Sequence, residues 1–268
     1  MEMVKSILMW SVLLAVGGED SKEMTFETPT GSATEVVARL KQASPTATAD
    51  ELRNAARDGA ARLAPQSPAA EALMELADGK QAAPELQKEL NNVIEDLTFQ
   101  PLREANLPAG FPTYTPPGVI ELKTYPIHRR AVANEFFSLF SHITRNDIAM
   151  TAPVRMAYEH ADDGKLKQES MAFFYGDSKT GNVGVDQADK NVETVEDKEQ
   201  TVIALGHRGR WNREVIAAGE RRLLDWVKAN PEYRAAGDLI VMGYNSPMTP
   251  TARQFFEIQL PVEKATQK

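Results

Sequence analysis

The sequence predicts an α+β protein: a small all-α region followed by a domain built from two copies of a strand–helix–strand–strand unit. Residues 24–97 are rich in alanine and are divided by proline and glycine into segments of helical length. Residues 114–262 instead carry alternating, aromatic and β-branched stretches typical of strands. Between them, the stretch 98–118 has five prolines and two glycines, so we predict a linker over 98–113.

Composition limits the possible functions. The chain has 268 residues, of which 42% are hydrophobic, enough for one core and a smaller satellite. Its net charge is −8 and its pI is near 5.2, which argues against nucleic acid as a partner, because binding to phosphates requires a basic surface. The absence of cysteine excludes disulfides, iron–sulfur clusters and cysteine nucleophiles. A metal would have to bind histidine, methionine, tyrosine or carboxylates.

Residues 1–18 have the features of a signal peptide. Lys5 precedes an apolar run at residues 7–16 that is too short to span a bilayer. Ala15 and Gly17 provide small residues where a signal peptidase would cleave. We therefore predict export to the periplasm or secretion, with no stable membrane insertion after cleavage. The alternative is an uncleaved N-terminal membrane anchor.

The helical region at 24–97 is predicted to contain three or four short helices. Thr48 and Ser67 are suited to cap two of them, and Pro68 follows at a first helical position. The last segment has four apolar residues at helical spacing: Leu86, Leu90, Val93 and Leu97. This pattern predicts a small bundle or spacer that packs on the next domain; a dedicated partner-binding module is the alternative.

A repeated order of motifs predicts an internal duplication after the linker. The sequence HRR at 128–130 is followed by a helical segment and then by AMTAPVRM at 149–156. The sequence HRGR at 207–210 is followed by a longer helical segment and then by SPMTPTAR at 246–253. We predict that the two units pair their sheets into one curved antiparallel β-barrel with the two helices outside.

Three stretches resemble the SOUL haem-binding protein family: VIELKTYP, FFSLFSHITRNDIAMTAPVRM and GYNSPMTP. The resemblance covers residues 114–262 and implies a duplicated ferredoxin-like barrel that binds haem or a related tetrapyrrole in an apolar site. It also implies kinship with effector-binding domains of bacterial transcription regulators, which bind other small molecules. A branch of the family has a histidine before the strand tyrosine as the proposed haem ligand. Thr124 precedes Tyr125 here, so that ligand is missing.

The first helical segment of the repeat offers an apolar face to a porphyrin. Phe136, Leu139, Phe140 and Ile143 recur at helical spacing, a pattern that plain core packing also explains. His142 lies near the edge of this stripe and is our candidate metal ligand, for the haem iron. The alternative is a solvent-facing histidine favoured by the nearby helix C-terminus.

Four arginines beside the strand histidines are candidates for binding the propionates of a porphyrin: Arg129, Arg130, Arg208 and Arg210. The alternative is that they are charged strand positions facing water. The sequence has no G-x-S-x-G, H-E-x-x-H, P-loop or dinucleotide fingerprint. We therefore expect a haem-binding carrier, buffer or sensor rather than an enzyme. A binder of another amphipathic small molecule and a hydrolase-like enzyme remain alternatives.

Overall fold

The computed structural model describes residues 24–29, 31–43 and 46–265. The predicted signal peptide at 1–18 lies outside these described residues. No helix in the described ranges combines the length and the hydropathy needed to cross a lipid bilayer.

Within the described residues, four helices form the region before the sheet domain. They are α1 (Ser32–Gln42), α2 (Ala49–Ala60), α3 (Pro68–Asp78) and α4 (Ala83–Leu97). Thr48 caps α2 as predicted, since its side chain accepts a hydrogen bond from the backbone N–H of Glu51 and its own N–H donates to the Glu51 carboxylate. The predicted stripe on α4 faces the core of this bundle, where Leu86, Leu90 and Leu97 are buried.

The helical bundle is joined to the sheet domain by backbone hydrogen bonds and by one shared core residue. Ser67 precedes α3 but does not cap it; its Oγ accepts a hydrogen bond from the backbone N–H of Ile120, at 2.9 Å. The N–H of Ala69 donates to the carbonyl of Gly118, at 3.0 Å. Val119 is fully buried in the apolar core of the bundle. The bundle therefore packs directly against the start of the sheet domain.

The sheet domain follows in the order β3, β4, α5, then five further strands, α6 and three last strands. The strands are β1 (Met24–Thr25), β2 (Leu102–Arg103), β3 (Ile120–Tyr125), β4 (His128–Ala133), β5 (Val154–His160), β6 (Leu166–Phe174), β7 (Gly184–Val185), β8 (Glu193–Asp197), β9 (Gln200–Arg208), β10 (Tyr233–Ala235), β11 (Leu239–Gly243) and β12 (Phe255–Lys264). The helices are α5 (Phe136–Arg145) and α6 (Arg213–Ala229). β1 and β2 form a separate two-stranded pair.

The strand order confirms the predicted duplication. The large sheet runs β3-β9-β12-β11-β5-β6-β4-β8-β7, and β10 pairs with β12 outside this path. The units β4-α5-β5-β6 and β9-α6-β11-β12 lie symmetrically about the central β5–β11 pair. Each unit also exchanges a strand with the other, because β3 precedes the first unit but pairs with β9, and β8 precedes the second but pairs with β4.

The predicted closure into a barrel is wrong, because the sheet is open. Among the described strands, β3 ends the path at β9 and β7 ends it at β8, so the two edges do not meet. Helices α5 and α6 cover one face, which we call the helix face. Residues 98–118, which we call the strap, lie against the opposite face, which we call the strap face.

The strap is packed on the sheet along its length. Phe99, Leu107 and Phe111 contact the aromatic core of the strap face. The backbone N–H of Ala109 donates to the carbonyl of Gly176, at 2.8 Å. Although the sequence predicts a linker here, these contacts make the strap part of the folded domain.

The two Met-Thr turns do not occupy equivalent places in the two units, contrary to the sequence prediction. The turn at 149–153 precedes β5, whereas the turn at 246–250 follows β11. Both turns nevertheless lie at the same end of the sheet, because β5 and β11 are antiparallel and pair Val154 with Gly243.

Both turns bind the strap. The carbonyl of Asn106 accepts a hydrogen bond from the N–H of Ala152, at 3.0 Å. The Glu104 carboxylate accepts one from the hydroxyl of Thr249, at 2.8 Å. The repeated turn sequence therefore has a structural role in holding the strap across the end of the sheet.

Candidate functional site

The aromatic residues of α5 lie on the helix face and are divided between core and surface. Leu139 is fully buried, whereas Phe136, Phe137 and Phe140 are half-buried. The rings of Phe136 and Phe140 are parallel with centroids 6.2 Å apart, and Phe136 meets Phe173 edge-on at 5.1 Å. Of the predicted stripe, Leu139 serves the core, while the two phenylalanines leave aromatic surface at the rim.

His142 is buried on the flank of α5, and both of its ring nitrogens are hydrogen-bonded. Nδ1 bonds to the carboxylate of Asp186, and Nε2 lies 2.7 Å from the hydroxyl of Tyr175. The hydrogen bond from His142, with help from Arg145, holds the pKa of Asp186 well below its usual range. Because that carboxylate is an acceptor, Nδ1 donates the hydrogen bond to it.

This histidine borders a polar cleft of about 420 Å³. Its walls come from the end of α5 and from the loop before β8, including Asn146, Gly181 and Thr194. The Tyr175 hydroxyl also lies 2.9 Å from the Thr194 hydroxyl, so the buried polar groups of this wall satisfy one another. Iron ligation by His142 would require Tyr175 to be displaced from Nε2.

The two predicted arginines of β4 point to opposite faces of the sheet and are both paired. Arg129 donates from Nε to Glu196 at 2.9 Å and from Nη1 to the carbonyl of Gly181 at 2.7 Å. Arg130 binds both carboxylate oxygens of Asp197, at 2.5 and 3.1 Å. Burial alone would raise the pKa of Asp197, but hydrogen bonds from His128 and Arg130 lower it well below its usual range.

The two predicted arginines at the end of β9 and just after it, Arg208 and Arg210, are also engaged with protein groups. Arg208 lies 3.3 Å from both Glu95 and Asp96 on α4, and its guanidinium stacks over the ring of Phe99. Arg210 makes a long contact of 3.4 Å with the side chain of Gln254. Arg208 therefore ties the helical region and the strap to the sheet.

Arg155, on β5, was not predicted from the sequence. Among the described residues, the Arg155 guanidinium has no hydrogen-bond or ion-pair partner. Burial, with a contribution from the nearby charge of Arg130, lowers its pKa to about 10. A charged residue between Val154 and Met156, directly after the Met-Thr turn, was the sequence signal for it.

A buried polar cluster beneath the strap was also not predicted from the sequence. Glu257 is fully buried on β12, and its carboxylate accepts hydrogen bonds from Nζ of Lys123 at 2.7 Å and from the backbone N–H of Thr115 at 2.6 Å. The side-chain amide of Gln259 donates to this carboxylate and to the hydroxyl of Tyr125. Burial raises the pKa of Tyr125, which keeps its hydroxyl neutral.

The described residues thus define a class of α+β domain with an open, duplicated sheet and two helices on one face. A family model described as SOUL heme-binding protein matches residues 95–261, which include the strap. The chain therefore belongs to the SOUL haem-binding protein family, as its sequence motifs predict. Membership places it among proteins of the haem- or tetrapyrrole-binding type.

Solved structures with a similar fold cover about half of the chain. The crystal structure of the EcmrR C-terminal domain has 18% identity and a TM-score of 0.41, covering 55% of this chain and 98% of that one. A hydrolase from Listeria innocua has 12% identity and a TM-score of 0.41, covering 56% and 94%. A bacterial transcription regulation protein from Staphylococcus aureus has 8% identity and a TM-score of 0.32, covering 54% and 97%. A search of the curated proteins finds no match.

Proposed function

We propose that this chain binds haem or a related tetrapyrrole by apolar contact with the half-buried aromatic surface of α5. One observation carries the proposal: Phe136, Phe137 and Phe140 leave three partly exposed rings on a helix of ten residues. Aromatic side chains pack favourably against a flat apolar ring system. The protein would then act as a carrier, buffer or sensor of the tetrapyrrole.

The residues present fit apolar contact better than axial ligation. Thr124 stands where part of the family has a histidine, and both nitrogens of His142 are hydrogen-bonded. When bound, haem would supply an iron centre open to an external ligand. The rings of Phe136 and Phe140 would hold the macrocycle, and Asp186 would keep the proton of His142 on Nδ1.

A haemin titration tests this proposal. We expect a Soret band that saturates near one equivalent in the unaltered protein. Phe140→Ala is expected to weaken binding about ten- to a hundredfold, because burying a large apolar side chain contributes about 1.5–3 kcal/mol. His142→Gln is expected to leave the affinity nearly unchanged, since the iron is not bound to it.

Matched variants distinguish the loss of direct contact with haem from the loss of folded protein. Leu224→Ala removes a similarly half-exposed apolar side chain from α6 and is expected to leave the titration unchanged. Thermal melts on the same samples correct for loss of folded protein. A Phe140→Ala protein that binds haemin like the unaltered protein would contradict the proposal. If Arg155→Gln, on the opposite face, then abolished the Soret band, the ligand would lie on the strap face.

We further propose that the protein binds its ligand without transforming it, and that it is exported. The apolar run at residues 7–16, with the small residues Ala15 and Gly17 at its C-terminal end, supports export. N-terminal sequencing of protein from its native host is expected to find a mature chain beginning near Gly18. Recovery of an intact Met1 from the cytoplasmic fraction would contradict export.

A further inference from the structure

A second cavity lies where the helical bundle meets the sheet domain, away from α5. Its volume is about 300 Å³, which is at the lower end for small-molecule sites. Apolar side chains form most of its wall: Ala69 and Ala72 on α3, Val93 on α4, Pro117 on the strap and Leu205 on β9. The helical region thus supplies one side of this cavity and the duplicated domain supplies the other.

Small residues keep this cavity open. Gly118 has a φ of +76°, which favours glycine, and an added Cβ there would be in van der Waals contact with Ala69, 3.4 Å from its backbone nitrogen. The hydrogen bond between Ala69 and Gly118 fixes the two backbones at this distance. Ala72, one turn along α3, has too short a side chain to reach across the space that remains.

His207 lines the cavity and offers an unused nitrogen. Its Nδ1 lies 2.9 Å from the carbonyl oxygen of Arg208, which accepts, so the proton is on Nδ1 and Nε2 keeps its lone pair. Among the described residues, no group bonds to Nε2. The ring is fixed by stacking on Phe256 with centroids 4.8 Å apart. Burial lowers the pKa of His207, which keeps the ring neutral.

The charges at the mouth of the cavity are already compensated. Arg208 donates to the carbonyl of Ala252 at 2.9 Å and lies within 3.3 Å of both Glu95 and Asp96. A carboxylate ligand would have to compete with these two acids, and an ammonium ligand would have to displace the arginine. A neutral ligand neither competes with the two acids nor displaces the arginine.

We propose that this cavity is a second ligand site, distinct from the tetrapyrrole surface, for a small neutral apolar molecule that carries one hydrogen-bond donor. The ring system of the ligand lies against Ala72, Val93 and Leu205, and its donor binds Nε2 of His207. The site gives the helical region a function, since the sheet domain alone supplies only half of the wall.

Indole and indene test the site as a matched pair of probes. The two bicyclic molecules have nearly the same shape, but only indole carries an N–H donor. Titrations of the full chain, followed by amide and imidazole NMR shifts, are expected to saturate for both, with indole tighter by about 2- to 12-fold, the range of one net hydrogen bond. Binding is expected to move the Nε2 resonance of His207 with indole and not with indene.

Two variants test the hydrogen-bond acceptor on His207 and the open volume of the cavity separately. His207→Phe keeps a ring on Phe256 but has no acceptor, so the preference for indole is expected to disappear while indene still binds. Ala72→Leu fills the cavity and is expected to abolish binding of both probes, whereas Met74→Leu on the exposed side of α3 leaves binding unchanged. Thermal melts verify that each variant is folded.

Several outcomes would overturn the proposal. They are equal affinities of the unaltered protein for the two probes, the absence of a saturable shift at cavity residues, and unchanged binding in folded Ala72→Leu protein. Haemin titration of Ala72→Leu provides a further distinction. A normal Soret band there, with loss of indole binding, shows two separate sites, while loss of both would place the tetrapyrrole in this cavity and contradict the proposal.

Discussion

Replacing Glu257 by glutamine is expected to lower the free energy of unfolding by about 3 kcal/mol, because it leaves the buried Lys123 ammonium with only the carboxylate of Glu121, 4.0 Å away, as a counter-ion. The Glu257 side chain has no exposed surface and that of Lys123 is 4% exposed, so water cannot replace the lost carboxylate. Lys123 also donates to the carbonyl of Thr113 in the strap, at 2.7 Å, so the strap should loosen as well. Urea denaturation at pH 7 measures the change.

Two comparisons isolate the charge effect. Glu263→Gln on the same strand breaks an exposed pair with Arg234, whose side chains are 50% and 63% exposed, and is expected to cost at most about 1 kcal/mol. The double variant Lys123→Met with Glu257→Gln removes both charges and is expected to be more stable than Glu257→Gln alone. A Glu257→Gln protein within 1 kcal/mol of the unaltered one would show that the buried pair does not stabilise the fold.

The duplicated architecture could be predicted from the sequence because strands, helices and turns have local sequence patterns. Thr48 and Glu51 predict the start of α2 from their spacing alone, and the repeated HR and Met-Thr sequences predict two units. Similar turn sequences do not ensure similar places in a repeat, since turn chemistry depends on a few adjacent residues. The antiparallel pairing of β5 with β11, which no local pattern reveals, places the two turns side by side.

Local sequence patterns also do not reveal whether the sheet closes or where the strap lies. Proline lacks an N–H, so the strap forms no strand longer than the two residues of β2, and its sequence has the composition of an exposed linker. Its burial depends on Phe99, Leu107 and Phe111 meeting aromatic residues distant in the chain. Because the strap covers the strap face, the sheet need not close on itself to bury that face.

The candidate site was predictable only in part. The phenylalanines of α5 follow from helical spacing, but the pairing of His142 with Asp186 joins residues 44 positions apart. Glu257 and Gln259 alternate with apolar residues on β12, a pattern that alone indicates a solvated face. The strap buries that face, so the two side chains form a polar cluster instead.

Replacing Gly206 by alanine is expected to destabilise the protein by about 3 kcal/mol, because the strap leaves no room for a side chain on this part of β9. An added Cβ would lie 2.1 Å from the carbonyl oxygen of Thr115 and 2.5 Å from that of Pro116, both backbone atoms. The N–H of Gly118 donates to the carbonyl of Gly206 at 2.9 Å, so the two segments cannot separate without losing this bond.

Gly176→Ala is the matched control, since an added Cβ there meets no atom within 4 Å and its φ is not in the left-handed region. Limited proteolysis provides a local measure beside the urea transition, because strain at Gly206 acts first on the strap. Cleavage within residues 98–118 is expected to accelerate in Gly206→Ala and to stay slow in Gly176→Ala and in the unaltered protein. Equal cleavage rates in the two variants would mean that the strap is not held against β9, and that residues 98–113 behave in solution as the linker their composition predicts.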